Sequence, residues 1–220
     1  MTKPPAQSGG FSPDGIRFFE DLEDDNTREF WQAHKDTFEQ EVREPLASLV
    51  ESLPDSYQPF RMFRMNRDVR FTHDKAPYKT QHSAVHESAG TDHYLQLSAQ
   101  GLMVGAGIYW MQADQLQRYR AAVDDARRGP ALERTLRRLT EQSIDVNVVG
   151  LPALKTAPRG YPRDHSRIDL LRRQGVVGHR ALDGPDLADA RALHEFVVTT
   201  FESCGPLVTW LRNNVGPPHG

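Results

Sequence analysis

Apolar residues recur at helical spacing in the first quarter of the chain. Ser12 followed by Pro13 is typical of a helix start, because a serine hydroxyl caps free backbone N–H groups and proline fits the first turn. The pattern that follows predicts a short helix over residues 13–23. Asn26 is predicted to cap a second helix, which Pro45 should kink or split. The apolar positions of this second helix keep a period near 3.6 residues: Phe30, Phe38, Val42, Leu46, Leu49 and Leu53.

The middle of the chain changes to a two-residue alternation, which is typical of β-strands. Residues 60–71 look extended, with a break at 66–68 that indicates a bulge, and a polar loop is predicted from 72 to about 82. A strand around Tyr94, a turn at Gln100–Gly101 and a strand over 102–110 then predict a β-hairpin.

Two glycines, Gly105 and Gly107, interrupt the second strand of that hairpin. They would leave one face open to another backbone or to a ligand.

Helical spacing returns in the second half of the chain. One helix should start near Asp114 and another after Gly129–Pro130, whereas residues 143–184 show little periodicity. Pro185 should open a helical C-terminal region that Gly205–Pro206 breaks. Helices at both ends and strands between them predict an α+β fold, with a central antiparallel sheet and helices packed from the N- and C-terminal parts.

Composition supports one soluble domain, with two tightly joined lobes as the alternative. The chain has 220 residues, of which 38% are hydrophobic and 26% charged. Residues 1–10 are rich in Pro, Gly and polar groups and are predicted to be a disordered tail, so the single domain should span residues 11–216. No apolar run approaches the roughly 20 residues that span a bilayer, so no membrane partner is predicted. Cys204 is the only cysteine, which favours a cytoplasmic location.

Basic residues are concentrated in two segments of an otherwise acidic chain. Residues 61–79 and residues 155–173 each contain six basic and two acidic side chains, whereas the rest of the chain contains 15 basic and 26 acidic ones. If the fold brings the two segments together, they would form a positive cleft that attracts anions. The alternative is that both segments form ion pairs with the acidic helices.

The residues of four blocks resemble a family of bacterial and fungal proteins known as domain of unknown function 2461. The blocks are DNTREFW at 25–31, RDVRFTHDKAPYKT at 67–80, GAG at 105–107 and LKTAPRGY at 154–161, which continues to residue 172. The resemblance covers residues 11 to about 211. Asp25 departs from it, because the family often has asparagine there. The resemblance implies no reaction, but it implies that both basic segments belong to one family design.

The first basic segment provides the strongest candidate ligand contacts. Arginine presents a planar fork to phosphate or carboxylate, and lysine adds a point charge. Asp68 could orient the arginines, and the alternative is a structural ion-pair network. The predicted ligand-binding residues here are Arg67, Arg70, Asp74, Lys75, Tyr78 and Lys79.

The second basic segment adds a candidate proton-transfer group. His165 beside Asp164 is the predicted catalytic pair, because imidazole titrates near neutral pH. Gly160 would permit a left-handed turn that presents its neighbour Arg159. A structural role for a loop histidine remains the alternative. The predicted ligand-binding residues here are Lys155, Arg159, Tyr161 and Arg172.

Other chemistries have weaker support. His82, His86, Glu87 and His93 lack a zinc-site spacing, and no metal or cofactor is predicted. Cys204 is predicted to be a core residue because it lies in an apolar helical stretch.

Two functions therefore stay open. The protein is an enzyme or binding protein for a small phosphorylated or nucleotide-like anion, or a non-enzymatic module that docks an acidic protein or nucleic acid. Nucleic acid is the less favoured ligand because the pI is about 6.3. The sequence predicts no oligomeric state.

Overall fold

The computed structural model describes residues 10–70, 74–148 and 150–219. The helices are α1 (Pro13–Asp24), α2 (Arg28–Ala33), α3 (Lys35–Phe38), α4 (Glu44–Ser52), α5 (Ala113–Asp124), α6 (Arg128–Glu141), α7 (Ile168–Leu171) and α8 (Ala190–Asn214). A π-helical turn spans Glu39–Arg43, and 3₁₀ helices span Asp55–Tyr57 and Gly184–Ala188. The strands are β1 (Arg61–Met62), β2 (Gln81–Ser88), β3 (Thr91–Ser98), β4 (Gly101–Ile108) and β5 (Val176–Leu182).

Within the described ranges, five strands form one antiparallel sheet in the order β1-β2-β3-β4-β5, which confirms the predicted α+β fold. Short turns join β2 to β3 and β3 to β4. Gly101 faces Leu182 and Gly107 faces Val176, so β5 runs antiparallel to β4. The sequence did not predict β2, which replaces the end of the expected loop, nor β5, which lies in the stretch without periodicity.

The chain divides into two compact units. The first unit comprises Met1–His86, Tyr94–Val104 and Ala181–Thr199, and the second comprises Glu87–His93, Gly105–Arg180 and Thr200–Gly220. The single domain over 11–216 stays a prediction. The predicted tail lies outside the described residues, except for Gly10.

Aromatic side chains form the core of the first unit. The ring of Phe18 in α1 lies 5.4 Å from that of Phe19, 6.1 Å from that of Trp31 and 5.7 Å from that of Phe38. Phe18, Phe19 and Phe38 are at most 3% exposed. Rings at these separations contribute stability beyond the area that they bury, so they hold α1 against α2 and α3.

Pro45 produces a π-helical turn where the sequence predicted a kink or split. Proline has no N–H, so the carbonyl of Glu41, four residues earlier, loses its helical partner. This carbonyl lies against Gly15 in α1, where a Cβ atom would come within 2.5 Å of it. The Ser12 hydroxyl also donates to the Glu41 carboxylate at 2.6 Å. Gly15 is therefore needed for the close approach of α1.

The second unit has a separate core around α5 and α6. Tyr119 is fully buried, and its hydroxyl donates to the Leu170 carbonyl at 3.0 Å. Cys204 is also fully buried, and its thiol lies 3.4 Å from the Gly178 carbonyl. Burial raises the pKa of Cys204 to about 11. The prediction that Cys204 is a core residue is confirmed.

The predicted break at Gly205–Pro206 is wrong, because α8 continues through both residues. Pro206 is exposed, and so is Glu202, whose carbonyl loses its usual partner at this proline. The missing hydrogen bond therefore falls on the solvent side of the helix, where water can replace it.

Candidate functional site

An irregular hairpin in the first unit carries the first basic segment. Arg61 pairs with Val85 and Met62 with Ala84, and an isolated bridge joins Asn66 to Tyr78. Between these two pairings the chain advances by four residues on one side, from Met62 to Asn66, and by six residues on the other, from Tyr78 to Ala84. The extra residues lie on the side of β2, whereas the sequence predicted a bulge at 66–68. Such an insertion bends the ladder and separates the two chains.

A polar cleft of about 570 Å³ lies at this irregularity. We call it the first-unit cleft. It is lined by Arg64, Asn66, Arg67, Asp68, Tyr78, Lys79, Thr80 and Gln81. Three of these residues, Arg67, Tyr78 and Lys79, are among the ligand contacts predicted from the sequence, and that role stays a prediction. Sequence reasoning missed Arg64, because a single arginine in an extended segment carries no recognisable motif.

Several predicted contacts in the loop pair with one another. Arg67 forms an ion pair with Asp74 at 2.5 Å. The Arg70 guanidinium donates to both carboxylate oxygens of Asp68, at 2.9 and 2.7 Å. The Lys75 ammonium donates to the Val69 carbonyl at 2.9 Å. The side chain of Arg70 is 75% exposed, so its pair lies in solvent and contributes little stability.

These contacts shift the titration of both carboxylates. The hydrogen bond from the Arg70 side chain lowers the pKa of Asp68 below its ordinary value. The pKa of Asp74 is also lowered, chiefly by the hydrogen bond from the backbone N–H of Ala76 and further by the hydrogen bond from Arg67. Both carboxylates therefore stay ionised and hold the loop together near neutral pH.

Arg64 and Lys79 differ from the other cations of the hairpin. Among the described residues, neither has a carboxylate partner within ion-pair distance. Burial lowers the pKa of Lys79, and the positive charge of Arg64 lowers it further. The Lys79 ammonium lies 5.1 Å from the centroid of the Phe63 ring, a weaker contact than an anion would provide. An anion in the first-unit cleft would relieve this repulsion.

Tyr78 is fixed by the N-terminal segment and is only 7% exposed. Its ring stacks on that of Trp31 at 4.5 Å. The Asn26 side chain donates to the Tyr78 carbonyl and accepts from the Tyr78 N–H, both at 3.1 Å. The predicted helix cap at Asn26 is wrong, because Thr27 caps α2 through the Phe30 N–H. Asn26 instead aligns the backbone that leads into Lys79.

In the second unit, His165 pairs with a carboxylate that the sequence did not predict. Its Nε2 lies 3.0 Å from Oδ1 of Asp124 at the end of α5, and its Nδ1 accepts from the Arg167 N–H at 2.9 Å. Both ring nitrogens are thus engaged, and the neighbouring Asp164 is exposed. Proton transfer by His165 would require one contact to break, so the catalytic role of His165 and Asp164 stays a prediction.

Arg167 extends this arrangement by closing the C-terminal end of α5. Its Nε donates to the Val123 carbonyl at 2.6 Å and its Nη2 to the Asp124 carbonyl at 3.0 Å. A cation on the last carbonyls of a helix complements the helix dipole. Tyr161 lies in the same loop, and burial, followed by the charge of Asp124, raises its pKa. The contacts that His165 and Arg167 make with Val123 and Asp124 anchor this loop to the end of α5.

The remaining predicted contacts of the second unit lie in two places. Lys155 and Arg159 are exposed, and Gly160 has a φ of +92°, in line with the predicted turn. Arg172 lines a separate cavity of about 450 Å³, which we call the second-unit cavity. A cleft shared by both basic segments stays a prediction.

Among the described residues, the histidine-rich segment does not bring potential metal ligands together. His82 and His86 lie four residues apart on β2, which separates them by about 13 Å along the strand. Across the described ranges, no three His, Cys, Asp or Glu side chains are grouped so that they could hold a metal ion. His82 is 3% exposed, and no described residue bonds to either ring nitrogen.

No helix in the described part of the chain has the length and apolar character required to cross a bilayer. The cytoplasmic location stays a prediction. No curated protein and no solved structure matches the chain. The family described as "Conserved hypothetical protein (DUF2461)" matches residues 14–210, which is most of the sequence and includes both basic segments. The chain belongs to this family, as the four sequence blocks predicted.

Proposed function

We propose that the first-unit cleft binds a small phosphorylated anion. The observation that carries the proposal is the pair of cations, Arg64 and Lys79, which border the cleft with no carboxylate within ion-pair distance among the described residues. The pKa of Lys79 is lowered by burial and by Arg64, so the free protein holds this charge at a cost that a bound anion would reduce.

The lining of the cleft suits a phosphate group. Asn66, Thr80 and Gln81 supply amide and hydroxyl donors beside the two cations. Arginine can bind two phosphate oxygens at once, and lysine adds a third charged donor. A volume of about 570 Å³ is in the usual range for small-molecule sites.

The paired residues have a positioning role in this proposal. Arg67 borders the cleft while bound to Asp74, and Arg70 and Lys75 tie the loop to itself. The ligand-binding roles of Lys155, Arg159 and Tyr161 stay predictions of the sequence.

Calorimetric titration with inorganic phosphate and ribose 5-phosphate tests the proposal, together with thermal unfolding in the same ligands. A ligand at 100 times its Kd should stabilise the folded protein by about 2.7 kcal/mol. Arg64→Ala and Lys79→Ala should each weaken binding at least about tenfold. Arg17→Ala, which removes an exposed cation in the same unit, is the matched control.

Two results would refute this function. Phosphate compounds that neither bind nor raise the melting temperature would exclude a small-anion site. Binding that Arg64→Ala and Lys79→Ala leave unchanged would place the anion elsewhere. Salt-sensitive capture of an acidic protein or a nucleic acid, in the absence of any small-anion effect, would favour the docking alternative.

A further inference from the structure

Helix α6 of the second unit presents exposed arginines that lie outside both basic segments. Its inner side is fixed, because a stripe of residues is buried and the Trp210 indole N–H donates to the Arg128 carbonyl at 3.0 Å. The buried residues are Gly129, Leu132, Leu136 and Leu139. Each exposed residue of the helix is polar, and most of them are arginines. The exposed residues are Arg128, Arg134, Arg137, Arg138, Thr140 and Glu141.

Four arginines lie close together around the axis of this helix. Successive residues turn by about 100°, which places the four within a sector of about 100° on the side opposite the buried leucines. The row that they form is about 16 Å long, at about 1.5 Å per residue. We call it the α6 arginine face, and its members are Arg127 at the N-cap, Arg134, Arg137 and Arg138.

The α6 arginine face carries positive charge that no ion pair neutralises. Arg128, which points away from the face, pairs with Asp125 at 3.5 Å. Across the described ranges, no ion pair joins a member of the face to a carboxylate. Within α6, Glu141 is the one carboxylate in the same sector, and it is exposed. The face therefore has an excess of cations available to an anionic partner.

The second unit as a whole shares this positive character. It contains 15 basic and 11 acidic residues, whereas the first unit contains 12 basic and 19 acidic ones. The pI of about 6.3 thus reflects chiefly the acidic first unit. Local charge decides whether a surface attracts a polyanion, so this pI does not exclude nucleic acid as a partner of α6.

The chemistry of the α6 arginine face favours duplex DNA over other anionic partners. A protein interface usually has an apolar or aromatic centre, and a helix that lies on a membrane needs exposed apolar residues; α6 exposes neither. Single-stranded nucleic acid is usually held by aromatic stacking, for which α6 offers no ring. Arginine contacts to phosphate provide affinity without any of these features. Each strand of a duplex carries a phosphate about every 3.4 Å, so the row can face about four of them.

We propose that the α6 arginine face docks the second unit on the phosphate backbone of double-stranded DNA without reading its sequence. This surface is independent of the first-unit cleft, since it uses different residues in the other unit.

The test is fluorescence anisotropy of a short labelled DNA duplex with the full chain, over a series of salt concentrations. Log Kobs should fall linearly with log salt, with a slope of up to about −3.6 if all four arginines contact phosphates. Substitution of any one of Arg134, Arg137 and Arg138 by glutamine should make the slope shallower by about 0.9, whereas substitution by lysine should preserve it. Glu141→Gln should tighten binding, because it removes the carboxylate of this sector.

The controls separate the α6 arginine face from general charge effects and from the first-unit cleft. Glutamine resembles arginine in helix propensity, so the variants should keep their fold. Arg28→Gln, which removes an exposed helical arginine of the first unit, should leave the slope unchanged. A protein carrying Arg64→Ala and Lys79→Ala should bind the duplex as the unmodified protein does.

Three results would overturn the proposal. The first is no binding of the duplex at about 50 mM salt. The second is a slope that the glutamine variants of α6 leave unchanged. The third is equal or tighter binding of single-stranded DNA, poly-glutamate or anionic lipid vesicles, which would assign the face to another partner.

Discussion

Asn26 provides a direct measure of how firmly the N-terminal segment holds the candidate cleft. Asn26→Ala removes two hydrogen bonds of 3.1 Å to the backbone of Tyr78. Tyr78 is 7% exposed, so its N–H and carbonyl would have little access to water. Each stranded group costs about 1–3 kcal/mol, and for the two groups we therefore expect a loss of about 2–6 kcal/mol in the free energy of unfolding.

Urea denaturation measures this loss, with the slope of the transition checked for constancy. Asn26→Asp is the informative companion, because it keeps an acceptor for the Tyr78 N–H but turns the donor into a second acceptor. It should be destabilised near neutral pH and recover in part when the carboxyl is protonated. Asn213→Ala, an exposed position, controls for the asparagine-to-alanine change itself. If Asn26→Ala lowers the free energy of unfolding by less than about 0.5 kcal/mol, water replaces the two hydrogen bonds of Asn26 and the prediction is wrong.

Three further predictions concern the interior. Gly107→Ala should lower the urea midpoint, because its Cβ would lie 2.2 Å from the Val176 carbonyl. The Cβ of Gly205→Ala would meet no atom within 4 Å, so this variant should raise the free energy of unfolding by about 0.5–1 kcal/mol. Cys204, whose pKa is raised to about 11, should react with a thiol reagent at pH 8 only as fast as the protein unfolds, and rapid labelling would contradict its burial. Burial lowers the pKa of His82 to about 4, so between pH 6.5 and 4 the unfolded chain binds more protons than the folded one. The free energy of unfolding should therefore fall by up to about 3 kcal/mol as the pH drops through this window. His82→Leu should lack this pH-dependent loss.

The sequence predicted α1 closely because its cap, proline and apolar spacing agree with one another. It missed β2 because His82, Ser83 and His86 are polar residues buried on a strand, so no alternation marks the element. It missed β5 because Val176 and Val177 are its only adjacent branched residues and the flanking arginines and glycines resemble a loop.

The candidate site was predictable as a region but not in its partners. Charge density located the hairpin, yet which cations pair depends on the loop geometry that joins Arg70 to Asp68 and Arg67 to Asp74. Arg64 became distinct only because the folded hairpin brings no described carboxylate within ion-pair distance of it. The contact between Asp124 and His165 spans 41 residues, and nothing local in either segment specifies it.

The close approach of β4 to β5 has a consequence for how this sequence can diverge. At Gly107 the three nearest atoms are backbone atoms of Val176 and Val177, so the contact there depends little on the side chains of β5. Substitutions in β5 should therefore be tolerated there more readily than a shift in register. A one-residue insertion or deletion within either strand would bring a side-chain-bearing residue to a position with no room for it. Selection should therefore preserve the number of residues in these two strands more strictly than their identity. Aligned sequences of relatives should show few insertions or deletions within either strand.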